Sequence, residues 1–342
     1  MWLLCVLKDK IKLNDIKKLV GDSMFKNYKY KVEDCKEVEV YRDDIIEHLY
    51  TKVHRASNLF ARHTMWNKDS QLILHSDDFV YKVEKNMFDL FLLPIVIHNK
   101  MYRFVVDTGA QISGIMDRHK DLIQTYKKEL SIGIKSVSGA LKKMDTICLD
   151  RFYAGSMEIL NHTLVVLCED DFKLPFVNKN IVGFDGILGW DILSQIDFEL
   201  DDVNHRFSML KSDDKFTYCN LIPAMFPIVI VQDENKKPAI FGIDSGAQFS
   251  WMHDLYCQKS NLKINKGFQG FNMGVHGIEK AQVQKVEKCR FAFYKNKITM
   301  ENVRCGQTNV FPDLALDGIF GNEIFKNRRI QFLNSKGIVR IL

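Results

Sequence analysis

The chain has 342 residues, 46% of them hydrophobic, which suits two lobes of ordinary size with a core in each. A net charge of +5 is far from the concentrated basic face that nucleic-acid binding requires. No apolar run approaches the length of a transmembrane span. Eight scattered cysteines, none in a Cys-x-x-Cys pair, are expected to be reduced thiols.

Trp2 to Leu7 is apolar but shorter than an export segment. Charged Lys8-Asp9-Lys10 follows where a cleavage site should stand, so the stretch reads as the start of a strand or helix. The expected address is the cytoplasm. Lysines recur from Lys8 to Lys31 with few acids between them, as on a solvated helical face; the sharper alternative is a basic segment that pairs with active-site carboxylates until removed. Ile45, Ile46, Leu49, Tyr50, Val53, Ala56 and Phe60 recur at helical steps, with Asp44 and Glu47 placed as a capping box. Residues 1–85 therefore read as a partly helical extension without chemistry of its own.

From residue 86 the chain reads as strands, twice. Leu93-Pro94-Ile95-Val96-Ile97, a turn at His98-Asn99-Lys100 and an apolar run from Met101 lead into Asp107. Phe226-Pro227-Ile228-Val229-Ile230, a longer turn and a run from Pro238 lead into Asp244. Both are β-hairpin patterns that deliver an aspartate at the end of the second strand. The sequences that follow match: Asp107-Thr108-Gly109-Ala110-Gln111-Ile112-Ser113 and Asp244-Ser245-Gly246-Ala247-Gln248-Phe249-Ser250. One such turn is commonplace, since Asp and Gly suit turns. A second copy in the same context is not.

A second pair of blocks closes each half. Asp185-Gly186-Ile187-Leu188-Gly189-Trp190-Asp191 matches Asp317-Gly318-Ile319-Phe320-Gly321-Asn322-Glu323, and a two-strand pattern follows each. Two matched blocks at a matched distance after matched aspartates indicate an internal duplication. The halves run over 86–211 and 222–342, joined by a polar connector at 212–221.

Both copies of both motifs resemble the pepsin and retropepsin group of aspartic peptidases, over about three quarters of the chain. Ala110 and Ala247 are similar to the retroviral-type enzymes and their bacterial relatives. The resemblance implies a mainly β, bilobal acid-protease fold with pseudo-two-fold symmetry and a cleft between the lobes. It places the catalytic pair on Asp107 and Asp244, with the apolar-apolar-Gly blocks packed beneath. Asp185 and Asp317 are then structural. With both halves in one chain, a monomer suffices for one site. The substrate implied is an extended peptide or protein, with no cofactor, metal, nucleic acid or membrane.

The chemistry suits those residues. Two carboxyls held close together cannot both ionise readily, so they share one proton and supply an acid and a base at once. Gly109 and Gly246 allow tight turns whose amides approach the carboxylates. In the family, the hydroxyls of Thr108 and Ser245 bond across to the opposite loop. Ala110 and Ala247 lack a side-chain donor to the carboxylates, which predicts activity at less acidic pH than pepsin.

The family's flaps fall on Ser136–Leu141, with Ser138 and Gly139, and on Met273–Ile278, with His276 and Gly277. Neither carries the tyrosine of the pepsin-type flap. His276 could touch substrate or simply be solvated. Trp190 is expected to be buried. No His-Glu-x-x-His metal site, Gly-x-Ser-x-Gly elbow or phosphate loop occurs.

The leading expectation is an aspartic endopeptidase. The alternatives are a peptide-binding or regulatory module that has lost activity, and a zymogen silenced by residues 1–85. Paired carboxylates also suit glycoside hydrolysis, which the duplicated context disfavours.

Overall fold

The computed structural model describes residues 4–5, 27–31, 37–41, 69–76, 79–126, 131–135, 141–172, 183–211, 214, 220–222, 226–235, 237–274, 277–293, 296–306 and 316–342. Strands dominate them, and two six-stranded barrels close, one in each half. No helix among the described residues is long and apolar enough to cross a membrane.

The first barrel runs Thr146–Ala154, Met157–Leu167, Gly114–Met116, Gly186–Leu188, Lys100–Val106, Phe91–Ile97. It closes through the pair Val96↔Tyr153. The second runs Gly277–Phe293, Asn296–Gly306, Trp251–His253, Gly318–Phe320, Pro238–Ile243, Ile228–Asp233 and closes through Gln232↔Ala292. The order is the same strand for strand, so the sequence repeat is a repeat of topology. In each barrel the strand that ends at the aspartate pairs in parallel with the strand of the closing block. Val106 lies opposite Leu188, and Ile243 opposite Phe320.

The alternation read from the sequence places the core. Leu93, Ile95 and Ile97 are buried on one strand and Phe104 and Val106 on its partner, as period-two patterning requires. His98 and Asn99 both take positive φ, 49° and 61°, as the two-residue turn best matched to strand twist demands.

A third sheet ties the halves together. Its order is Ile338–Ile341, Arg329–Leu333, Phe198–Asp201, Arg206–Met209, Val80–Lys82. The two central strands are equivalent in the repeat, and Glu199 faces Gln331 at the pseudo-two-fold axis. Gln331 Nε2 donates to Glu199 Oε2 (2.7 Å), and Arg329 donates to both Glu199 oxygens. Phe198 and Phe332 stack across the axis with ring centres 4.7 Å apart. Trp190 is buried, as expected, edge-on to Phe332. One hydrophobic core runs continuously through both lobes by way of these rings.

Residues before 86 take part in these sheets. Gln71–Leu74 pairs with Met157–Leu167, Val80–Lys82 with Arg206–Met209, and Glu84–Lys85 with Phe91–Ile97. These strands are short and largely exposed, and none alternates buried with exposed residues over more than three positions, so their sequence carries little β patterning. Further toward the N-terminus, Leu4–Cys5 pairs with Ile132–Lys135, and Asn27–Lys31 with Glu37–Tyr41. Residues 27–31 thus form a strand rather than the end of a helical basic face; Lys29 and Lys31 alternate with Tyr28 and Tyr30, a period of two. The helix expected over 43–62 lies outside the described residues.

Candidate active site

Each aspartate sits where a buried strand leaves the barrel. The N–H of Asp107 donates to the Leu188 carbonyl (3.0 Å) and that of Asp244 to Phe320 (2.8 Å), so the closing blocks hold the loops from beneath. The loops then turn back on themselves. Asp107 Oδ1 accepts from the N–H groups of Gly109 (2.9 Å) and Ala110 (3.0 Å). Asp244 Oδ1 accepts from Gly246 and Ala247 at the same two distances, 2.9 and 3.0 Å. The alanines, which offer no side-chain donor, contribute through the backbone.

The two loops are locked to each other. Thr108 N–H donates to Ser245 Oγ and Ser245 N–H to Thr108 Oγ1, each at 3.0 Å. In turn, Thr108 Oγ1 donates to the Ile243 carbonyl (2.9 Å) and Ser245 Oγ to the Val106 carbonyl (2.7 Å). Each hydroxyl accepts once and donates once in a fully buried place, where an unmade bond is costly. Serine does in the second half what threonine does in the first.

The lock brings the carboxyls face to face. A Cβ built on Gly109 would lie 2.3 Å from Asp244 Cγ, and one on Gly246 2.3 Å from Asp107 Cγ. No other residue fits at either position. Neither aspartate has any exposed surface. Burial raises the Asp107 carboxyl well above its ordinary value, and the charge of Asp244 and a hydrogen bond with it add to the effect, against the Ala110 N–H. The arrangement therefore holds a proton on the pair at pH values where an exposed carboxyl has lost it. Such a pair can take a proton from one partner while giving one to another.

Support beneath the loops is also duplicated. Ser113 Oγ accepts from Gly189 N–H (2.9 Å), and Ser250 Oγ from Gly321 N–H (3.0 Å). Asp191 accepts from the Ser113 backbone (2.8 Å) and hydroxyl (2.7 Å), and Glu323 from the Ser250 backbone (2.9 Å). In the first lobe the chain continues: His162 Nε2 lies 3.0 Å from Asp191 Oδ2, and His162 Nδ1 3.1 Å from Ser70 Oγ. The signal for the two serines and for Asp191 and Glu323 was the repeat itself. His162, matched by Glu301 in the second half, had none.

Asp185 and Asp317 take structural places. Arg103 N–H donates to Asp185 Oδ2 (2.8 Å) and Ile240 N–H to Asp317 Oδ2 (2.9 Å), fastening the strand that carries each aspartate. Arg118 and His119 also reach Asp185. Burial pushes that carboxyl up, but hydrogen bonds from His119, the Arg103 backbone and Arg118 outweigh it and hold it well below the usual range.

Both flap candidates fall on β-hairpins. Ile132–Lys135 pairs with Leu141–Met144, and the tip with Ser138 and Gly139 lies outside the described residues. Ile264–Gly274 pairs with Gly277–Phe293, so Gly277 opens the return strand, opposite Gly274; His276 lies outside the described residues. This second hairpin crosses to the turn Glu169–Phe172 of the first lobe. Among the described residues, no three or more His, Cys, Asp or Glu side chains gather as for a metal ion.

No protein-family model matches the chain, and no curated protein is significantly similar to it. The site must speak for itself.

Proposed function

We propose that this chain is an aspartic endopeptidase in which Asp107 and Asp244 act as one unit. The observation that carries the reading is the reciprocal lock of Thr108 and Ser245, which sets two buried carboxyls against each other about a pseudo-two-fold axis. A surface turn has no need of that arrangement, and burying two acids together costs stability, a cost characteristic of functional sites.

In this reading a water molecule lies between the carboxyls. The ionised one takes a proton from the water as its oxygen bonds to the peptide carbonyl carbon. The protonated one gives its proton to the carbonyl oxygen. The tetrahedral diol then collapses: one diol hydroxyl gives its proton to the ionised carboxylate as its C=O bond re-forms, the C–N bond breaks, and the protonated carboxyl gives its proton to the departing nitrogen, so the pair again holds one proton. Which aspartate starts as acid is a property of the pair rather than of either residue. An extended peptide suits a cleft between two β lobes, where backbone hydrogen bonds bind it.

The complete burial of both carboxyls favours a second reading of the resting chain, as a closed form that turns over only after its cleft opens or its N-terminal stretch is trimmed. The test is incubation of an unfolded protein with the intact chain from pH 3 to 8, before and after limited N-terminal trimming, with products read by mass spectrometry. New peptides that Asp107→Asn fails to release support the reading. Absence of cleavage by the folded chain in both forms would remove it.

A further inference from the structure

The duplication allows the surroundings of the two aspartates to be compared residue by residue. Thr108 and Ser245 are 137 residues apart. At that spacing Val105 corresponds to Gly242, Ile112 to Phe249 and Gly114 to Trp251. Strand pairing extends the match: Gly114 lies beside Val165 as Trp251 lies beside Arg304, and Met116 beside Leu167 as His253 beside Gly306.

In the first lobe these residues form an apolar layer separate from the main core. The layer lies on the side of the aspartate loop. Ala110 and Ile112 belong to it and follow Asp107 directly, and Ile187 belongs to it and precedes Leu188, which holds the Asp107 backbone. Ile112, Val165 and Leu167 are all buried, Ile112 at 8% exposure. The second lobe has Phe249, Arg304 and Gly306 in their places.

The replacements are correlated. A Cβ on Gly114 would lie 2.8 Å from Val165 Cγ2 and 3.0 Å from Leu167, so that wall has no room for a side chain there. Trp251 fits at the matching place because Gly306 replaces the leucine; a Cβ on Gly306 would lie 3.3 Å from the indole. Trp251 Nε1 donates to the Gly306 carbonyl (3.2 Å), which fixes the ring. Beside it the Arg304 guanidinium carbon stands 3.8 Å from the centre of the Phe249 ring, and Phe249 is 39% exposed, five residues after Asp244.

We infer that Arg304, stacked on Phe249 beside Trp251, forms a subsite for an acidic side chain of the substrate on one side of the scissile bond only. This rests on the peptidase reading. A guanidinium stacked by its face keeps its hydrogen-bonding edge in the plane, the geometry that carboxylates match. The pseudo-two-fold axis puts matched residues on opposite sides of the bond to be cut, and the residues matched to Arg304 and Phe249 in the first lobe, Val165 and Ile112, are buried and uncharged, so the matched place offers no cation. Arg304 is half-buried, which lowers its pKa against the charge of Glu323 and weakens solvent screening of a carboxylate brought to it. Glu323 is itself engaged with the Ser250 backbone.

The test uses the full chain carrying Asp107→Asn, so that peptides are bound and not consumed. Fluorescent peptides with Glu or Gln scanned through each position are titrated by anisotropy. One position is expected at which Glu binds about tenfold or more tighter than Gln, as a charge-assisted pair requires. Arg304→Gln should abolish that difference, Arg304→Glu should invert it in favour of Lys, and Arg304→Lys should keep part of it. No such position, or a preference that survives Arg304→Glu, overturns the subsite. Cleavage by the chain with both aspartates intact decides the peptidase reading separately, since binding is read without turnover.

Discussion

Replacing Asp107 by asparagine should stabilise the protein, and by an amount that grows with pH. The native pair keeps a proton because Asp107 is buried against Asp244. An unfolded chain loses that proton near the ordinary carboxyl value of about 4. Above that pH the unfolded state therefore binds one proton fewer than the native state, and stability falls by about 1.4 kcal/mol per pH unit for that proton. The sign follows from the raised pKa: this contribution is full below the unfolded value and is lost as the pH rises through the native one. Asparagine carries no such proton, and every other titrating group is common to both proteins. The stability of Asp107→Asn minus that of the parent should rise with pH above about 4, at up to about 1.4 kcal/mol per pH unit, until the native pair ionises. Urea unfolding of both proteins at half-unit steps from pH 4 to 8 measures it. A difference independent of pH would refute the argument, because the pair would then hold no proton that the unfolded chain lacks.

Ser245→Ala removes an acceptor for the Thr108 N–H and a donor to the Val106 carbonyl, both buried. A loss of about 2–4 kcal/mol is expected in denaturant unfolding. Gly246→Ala places a methyl where the Asp107 carboxyl lies, so turnover of a peptide substrate should fall by about a hundredfold or more, while far-UV circular dichroism still reports a β fold. Asp185→Asn weakens the contacts of a carboxylate held below its usual range by His119, Arg103 and Arg118 against the effect of burial. It should cost about 1–3 kcal/mol at pH 7, and the cost should begin to shrink as the pH falls below about 4, since a depressed pKa contributes fully above the unfolded value and is lost progressively as the pH falls through the native one. Urea titrations at pH 7 and pH 3 compare the two.

What the sequence discloses and what it hides have physical reasons. The paired aspartates, their glycines and the closing blocks were legible because the chain states each of them twice. That repeat separates a required geometry from an accidental turn. Two barrels of the same strand order and a shared central sheet follow from it. The strands Gln71–Leu74 and Val80–Lys82 were not legible, because mostly exposed edge strands lack an alternating apolar face. The length of Gly277–Phe293 was hidden for a related reason: Glu279, Lys280, Lys285, Glu287, Lys288 and Arg290 interrupt the apolar pattern of a strand 17 residues long. His162 was hidden because a buried histidine bonded to Asp191 has no local sequence signature. The asymmetry between Val165 and Arg304 becomes visible only when strand register sets the two beside their matched partners.

The claim at the centre of this account is that Asp107 and Asp244 work as a single unit. The most direct measurement is kcat/KM on one peptide for the parent chain, Asp107→Asn, Asp244→Asn and the double variant. Groups that share one proton and one water should lose nearly all activity in either single variant, with no further loss in the double. Losses that add, or a single variant that keeps substantial activity, would contradict the account.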